Sequence, residues 1–329
     1  MKKFSRIIAL FTFLMLSVAG CQTQSPATGA NTTSGSTQAV TQPATTPSTT
    51  AAQAAAETVY PYTFKTADGK DVIIDKEPQR IVSLSPTYTE VVYALGKGAQ
   101  LVGRTDYCDY PAQTKDVVSV GSMTKPSVEK IVELNPDLIL VSFMEQEVVE
   151  QIEKSGAKVV QIFTGNTIDG SYKNMEEIGR MLNANVEAKT LTETIQTDIA
   201  AVAAKVKDAA PVSIYYVAGF GKNGDYTAGG DTFLHELITL AGGDNIAKDV
   251  QGWNFTTEKL AEKDPQYIVI GSMAKLTEEF KTTEPYKNLT AVKENRVMEV
   301  DDNLVNREGP RLAEGVEAIA RILHPELFK

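Results

Sequence analysis

The sequence predicts an α/β protein of two related lobes joined by a long helix. Three features carry that prediction. Short apolar runs alternate with amphipathic stretches, the segment Ser171 to Asp208 keeps an apolar step of three to four residues, and one pattern recurs 129 residues downstream. With 329 residues and 42% apolar side chains, the chain can bury two such cores. Forty-two acidic against 32 basic residues give a formal charge of −10. This removes the basic footprint that phosphate backbones require, so nucleic acid is not expected as a partner. Two cysteines and two histidines, His235 and His324, are too few for a disulfide framework or a Cys/His-rich metal centre.

The first element is a leader. Lys2, Lys3 and Arg6 precede the apolar run Ile7 to Leu16, which is short for a membrane span and reads as an export signal over residues 1–20. It ends in Val18-Ala19-Gly20-Cys21, small residues directly before a cysteine. That arrangement resembles the bacterial lipobox, which implies diacylation of Cys21 and a stable anchor, at about 0.8 kcal/mol per buried methylene. From Gln22 to Ala56 no residue is charged, and Thr, Ser, Ala, Gln, Gly and Pro dominate, so residues 21–57 form the lipidated cysteine and a tether that cannot bury a core. As a flexible coil it would reach roughly 30 Å from the lipid surface. Losing Lys2, Lys3 and Arg6 takes the formal charge from −10 to −13, so anionic lipid repels the body, and contact with the membrane runs through the N-terminal lipid only.

The first lobe is expected over residues 58–167. Arg80 to Ser85 reads as a buried strand, Thr89 to Leu95 as amphipathic, Leu101 to Arg104 as a strand, and Val128 to Leu134 as a helix. Asp137 to Ser142 then reads as a strand, Val148 to Ser155 as a helix and Lys158 to Phe163 as a strand, an alternation that implies a parallel sheet. Residues 168–210 form the connector. Tyr172, Met175, Ile178, Met181, Leu182, Val186, Leu191, Ile195, Ile199, Val202 and Val206 predict one long helix or two nearly continuous ones, ended by Pro211. The second lobe, residues 211–329, resumes the alternation with Val212 to Ala218.

The repeat joins the lobes in design. Glu129-Lys130-Ile-Val-Glu133, with Pro136 and the run Leu138 to Val141, recurs as Glu258-Lys259-Leu-Ala-Glu262, with Pro265 and Tyr267 to Ile270. Each copy is a short helix, a proline turn and a buried strand. In open parallel sheets ligands bind outside the carboxyl ends of the strands. The residues expected there are Tyr88, Tyr107, Met123, Phe143, Met144 and Phe163 from the first lobe, and Phe220, Tyr226, Trp253, Met273 and Asn303 to Arg307 from the second. Aromatic and thioether groups with few charges suit a large, partly apolar, planar or macrocyclic ligand.

The lipobox, the tether and the two lobes, with Arg80-Ile-Val-Ser-Leu-Ser-Pro86, Thr89-Glu90, Asp106-Tyr-Cys-Asp-Tyr-Pro111, Thr227-Ala-Gly229, Ala241 to Ile246 and Gly309-Pro310-Arg311, resemble substrate-binding lipoproteins of ABC importers. The similar class is the cobalamin and ferric-siderophore binders. The resemblance covers about Val59 to Phe328 and implies two Rossmann-like lobes on a rigid connecting helix, the class III periplasmic-binding-protein fold. It implies no enzymatic activity and no permanent cofactor, the ligand being a cobalt- or iron-containing chelate. It also implies an ABC permease dimer with its ATPase as partner, and a place on the outer face of the cell membrane, in the Gram-positive manner. The resemblance supports Tyr107, Tyr226 and Trp253 as ligand contacts, to which the strand-end reading adds Tyr88, Met123, Phe143 and Arg307; it also implies that Glu129 and Glu258 dock onto the permease subunits. Glutamates in a first helical turn would also complement the helix dipole. Met123 stands where cobalamin binders carry tryptophan, and Asn303, Leu304 and Val305 replace expected aromatics, which leaves haem and ferric siderophores open beside cobalamin.

Gly219-Phe-Gly221-Lys-Asn-Gly224 matches a dinucleotide fingerprint in letters only, because Asp225 to Asp231 intervenes before the helix that starts near Thr232. The glycines instead suit a tight loop at the cleft. A hydrolase lacks a G-x-S-x-G nucleophile and a histidine near Ser85. A non-transport surface receptor on the same fold stays open.

Overall fold

The computed structural model describes residues 57–66, 69–142, 144–154, 156–162, 165–222, 224–273 and 275–329, which all belong to one compact unit. The export signal, Cys21 and the tether lie outside the described residues, as do Phe143 and Phe163.

The first lobe opens with the antiparallel hairpin β1 (Tyr62–Lys65) and β2 (Asp71–Ile74). Its main sheet is fully parallel, in the order β5 (Val118–Ser119), β4 (Leu101–Arg104), β3 (Ile81–Ser83), β6 (Leu138–Val141), β7 (Val159–Gln161). Helices α1 (Pro86–Ala94), α2 (Val128–Glu133) and α3 (Gln146–Glu153) cross between these strands. The second lobe repeats the plan in the parallel order β10 (Gly243–Asn245), β8 (Val212–Val217), β12 (Tyr267–Gly271), β13 (Val297–Val300), with a small antiparallel ribbon of β9 (Asp225–Tyr226) and β11 (Asn254–Phe255).

Between the lobes run α4 (Ile168–Met181) and α5 (Asn185–Val206). The connector is two helices that turn back on each other. Asn183 takes the left-handed conformation (φ 52°), and a Cβ on Gly179 would meet the Ala188 side chain at 2.4 Å, so only glycine lets the two helices pack this closely. At 1.5 Å per residue α5 spans about 33 Å. It packs on α4 and on the last helix of the second lobe. Thr58 and Tyr60 secure the start of the body to this corner, Thr58 N–H donating to Asn183 Oδ1 (2.8 Å) and Tyr60 O–H to the Met181 carbonyl (2.8 Å).

The remaining helices are α6 (Phe233–Leu240), α7 (Thr257–Lys263), α8 (Thr277–Thr282), α9 (Thr290–Lys293), α10 (Asp302–Val305) and α11 (Leu312–Leu323). Strand alternation sorts side chains into separate cores. Leu138 and Leu140 of β6, with Ile214 and Tyr216 of β8, join the central core, which also takes Met175, Ile178, Ile195 and Ile199 from the connector. Ile139 and Val141 face the first lobe's outer core, and Tyr215, Val217, Ile268 and Ile270 the second lobe's. One apolar core therefore runs through both lobes and the connector.

The repeat is structural as well as textual. α2 and α7 are both capped by a hydroxyl, Ser127 accepting from Lys130 N–H and Thr256 from Lys259 N–H. Both turns pass through a left-handed residue before the proline, Asn135 (φ 48°) and Asp264 (φ 35°), which stand 129 positions apart. The side chain after each proline anchors the turn to the central strand of its sheet. Asp137 Oδ1 accepts from Arg80 N–H, and Gln266 Oε1 accepts from Ser213 N–H, both at 2.9 Å.

Candidate functional site

The carboxyl ends of the two parallel sheets face one another. Contacts from the loop after β13 to the loop after β4 establish this: Arg307 donates through Nη1 to Asp109 Oδ1 (2.8 Å) and through Nη2 to the Tyr107 carbonyl (3.1 Å). The loop carrying Tyr107 is held to its own lobe by Asp106 N–H on the Gly121 carbonyl (2.9 Å), and by Thr89 Oγ1, which donates to the buried Cys108 Sγ (3.1 Å). Tyr107 itself is 54% exposed.

On the opposite side, Tyr226 and Trp253 lie on the β9–β11 ribbon. Tyr226 pairs with Asn254, and Thr227 N–H donates to the Trp253 carbonyl (2.8 Å), so Trp253 sits directly before the strand that pairs with Tyr226, and the two residues are 40% and 37% exposed. The glycines of the false fingerprint make room for this ribbon. A Cβ on Gly219 would stand 3.3 Å from the Tyr226 ring, while Gly221 and Gly224 have φ of 98° and 103°. Behind the ribbon, a Cβ on Gly230 would fall 2.0 Å from the Lys248 carbonyl oxygen, so the backbones touch only because the residue is glycine.

A buried carboxylate ties the ribbon to α7. Asp225 is 3% exposed and accepts from Tyr286 O–H (2.5 Å) and Thr257 Oγ1 (2.7 Å), the latter in the first turn of α7. Burial first, and then this carboxylate, raise the Tyr286 hydroxyl above its ordinary pKa. Glu258 follows Thr257, and Glu129 holds the matching place on α2; both are exposed in the first turn of a short capped helix.

One expected ligand contact is corrected. Tyr88 is 3% exposed and donates its hydroxyl to the Ile162 carbonyl (2.8 Å), because α1 turns that side chain into the central core; burial raises its pKa. Arg307 is engaged within the protein: beyond Asp109 and Tyr107 it donates to Glu90 Oε1 (2.8 Å), and its side chain is only 10% exposed. Met123 is half-buried in a turn closed by the Gly121–Pro126 bridge.

Glu90 and Arg311 stand in the Thr89-Glu90 and Gly309-Pro310-Arg311 motifs, but the sequence assigns neither a role. Glu90 lies in the buried stretch Tyr88 to Val92 of α1, and its carboxylate accepts two donors from Arg311, Nε on Oε2 (2.8 Å) and Nη2 on Oε1 (2.7 Å). Arg311 also lies over the Tyr110 ring at 4.2 Å. A glutamate set inside the apolar run of α1 was the available signal, since a buried carboxylate requires a partner. Beside this cluster, burial and then Glu236 push the Glu308 carboxyl up to about 7.

Compared with known proteins, residues 81–304 match the periplasmic binding protein family. The chain is 35% identical over 280 residues to an uncharacterized ABC transporter substrate-binding lipoprotein, YvrC, of Bacillus subtilis, covering 82% of this chain and 88% of that one. It is 30% identical over 279 residues to a cobalamin-binding protein of Halobacterium salinarum, covering 80% of this chain and 74% of that one. Among solved structures, an ABC transporter substrate-binding protein from Listeria monocytogenes superposes with a TM-score of 0.65 at 25% identity, over 76% of this chain and 100% of that one.

Proposed function

The chain belongs to the periplasmic binding protein family, and we propose that, as the substrate-binding component of an ABC importer, it captures a corrinoid between its two lobes. One observation carries the reading. Exposed aromatic rings follow the carboxyl ends of strands in both lobes, Tyr107 in one and Tyr226 with Trp253 in the other, and the arginines after β13 are paired with Glu90 and Asp109. Such a cleft suits a ligand with a broad apolar face and neutral amide arms better than a polyanion. The relative named as a cobalamin-binding protein supports the same choice. An iron chelate, haem or a ferric siderophore, is the second reading; Met123 and the non-aromatic Asn303 to Val305 stretch favour it.

In this reading Cys21 is the acylated anchor, and no covalent chemistry is performed on the ligand. Glu129 and Glu258 present a pseudo-symmetric pair of carboxylates to a permease dimer with its ATPase, and a repeated pair suits a two-fold partner. The Glu129→Arg/Glu258→Arg double variant should abolish uptake while ligand affinity stays at the wild-type value. A loss of affinity would sink the docking assignment.

The test of the ligand is titration of Trp253, the chain's single tryptophan, whose emission a bound chromophore quenches. Cyanocobalamin should quench it saturably at one equivalent, and haemin and ferric siderophores should do so weakly or not at all. Saturable quenching by haemin or a ferric siderophore alone would transfer the assignment to the iron chelate. Silence with every probe, together with no retention in equilibrium dialysis, would overturn the reading.

A further inference from the structure

We propose that Glu90, Arg307 and Arg311 form a latch across the two lobes, and that Arg307 is the positioning residue for the Tyr107 loop on the opposite side of the cleft. The ligand-contact role of Tyr107 rests on the function proposed above; the latch itself rests on geometry alone.

Glu90 belongs to α1 of the first lobe, and its side chain is 1% exposed. Both arginines come from the segment after β13 in the second lobe, and their side chains are 10% and 12% exposed. Three N–H groups fill the Glu90 carboxylate, two in the fork geometry that makes arginine–carboxylate pairs strong and directional. Arg307 continues past Glu90 to Asp109 and to the Tyr107 carbonyl, so one guanidinium joins helix and loop of the far lobe. Two guanidinium groups meet two carboxylates, Glu90 and Asp109, and the cluster balances in charge without any group from a ligand.

The backbones agree with the side chains. Gly309 lies between the two arginines, and a Cβ there would stand 3.2 Å from Thr87 Cγ2, one residue into α1. The second lobe thus approaches the start of α1 closely at the point where its arginines reach Glu90. A shared apolar core limits movement at the connector, and the latch limits it at the cleft. Buried charge clusters of this kind contribute little net stability, but they are costly to break one partner at a time, which makes them suited to fixing an arrangement.

The test uses the full body of the protein without ligand. Amide hydrogen exchange is followed at Cys108, whose N–H donates to the Thr105 carbonyl (3.1 Å), and at its loop neighbours. Arg307→Gln should speed exchange in this loop about ten-fold and leave Thr227 and Gly229 on the ribbon side unchanged. Arg307→Lys, which keeps charge but not the fork, should recover only part of the protection. Asp109→Asn, at a 55% exposed side chain, keeps the protein folded if Arg307→Gln does not, and should speed loop exchange about three-fold. Wild-type exchange in the loop of either folded variant would overturn the latch. With cyanocobalamin as probe, Arg307→Gln should raise the dissociation rate about ten-fold. If wild-type protein binds no probe, the functional reading fails while the exchange result still decides the latch.

Discussion

Tyr226 and Trp253 are held by their own lobe, through ribbon pairing and the Asp225 carboxylate, whereas Tyr107 is held in part by an arginine from the other lobe. The two copies of the fold share their capped helix, left-handed turn residue and proline, yet they secure their exposed aromatics differently. Common architecture therefore fixes where the loops emerge, and lobe-specific polar contacts fix how firmly each is held. The second lobe is the self-supporting half of the cleft, and the first is completed by its neighbour.

The largest expected effect comes from removing the acceptor on which the crossing contacts converge. Glu90→Ala leaves Arg311 without its carboxylate and Arg307 with Asp109 alone, a loss of about 3–5 kcal/mol in urea unfolding. Asp225→Ala should cost about 2–3 kcal/mol, since it strands the Tyr286 and Thr257 hydroxyls. The comparison lies in where protection is lost. Glu90→Ala should loosen amides on both sides of the cleft, around Cys108 and around Gly309, while Asp225→Ala should loosen only the second lobe, near Tyr226 and α7. Equal loosening of the Cys108 loop by both variants would erase the distinction between the lobes.

Much of this architecture was legible in the residues. The alternation of strands and helices, the break at Pro211 and the 129-residue repeat placed both sheets, because burial of alternate faces writes itself into apolar periodicity. The connector reads as one long helix or two nearly continuous ones and instead reverses, because the apolar step runs straight through Leu182 while the turn depends on Asn183 and on close packing at Gly179. Tyr107, Tyr226 and Trp253 were found as residues following strands and are exposed there. Tyr88 also follows a strand but is buried, since proximity to a strand end does not say which face of α1 a residue takes. The Glu90 cluster stayed hidden because its partners lie more than 200 positions apart, and charge pairing over that distance leaves no local pattern.

A smaller effect locates the seam between the lobes by pH. Glu308 follows Arg307, but the arginines on either side of it are engaged by Glu90, so its carboxyl meets burial and the Glu236 charge instead. Glu236 is itself committed, accepting from the Ile168 N–H at the start of α4 (2.7 Å). The folded state thus binds a proton at Glu308 more tightly than the unfolded chain does, with a pKa near 7 against an ordinary 4.5. The unfolded state binds fewer protons between these values, so this group's contribution to stability is full below about pH 4.5, falls as pH rises toward 7, and is flat above it. Glu308→Gln removes the ionisation while keeping the shape. Subtracting the variant's urea-unfolding profile from the wild type's cancels the other titrating groups and should leave a decline of about 1–2 kcal/mol across that window, the full shift being discounted for partial exposure. At pH 8 the variant should be the more stable protein. A difference profile that rises with pH would mean that Glu308 is stabilised as a carboxylate by Arg307 or Arg311, and that the arginines are not fully engaged by Glu90.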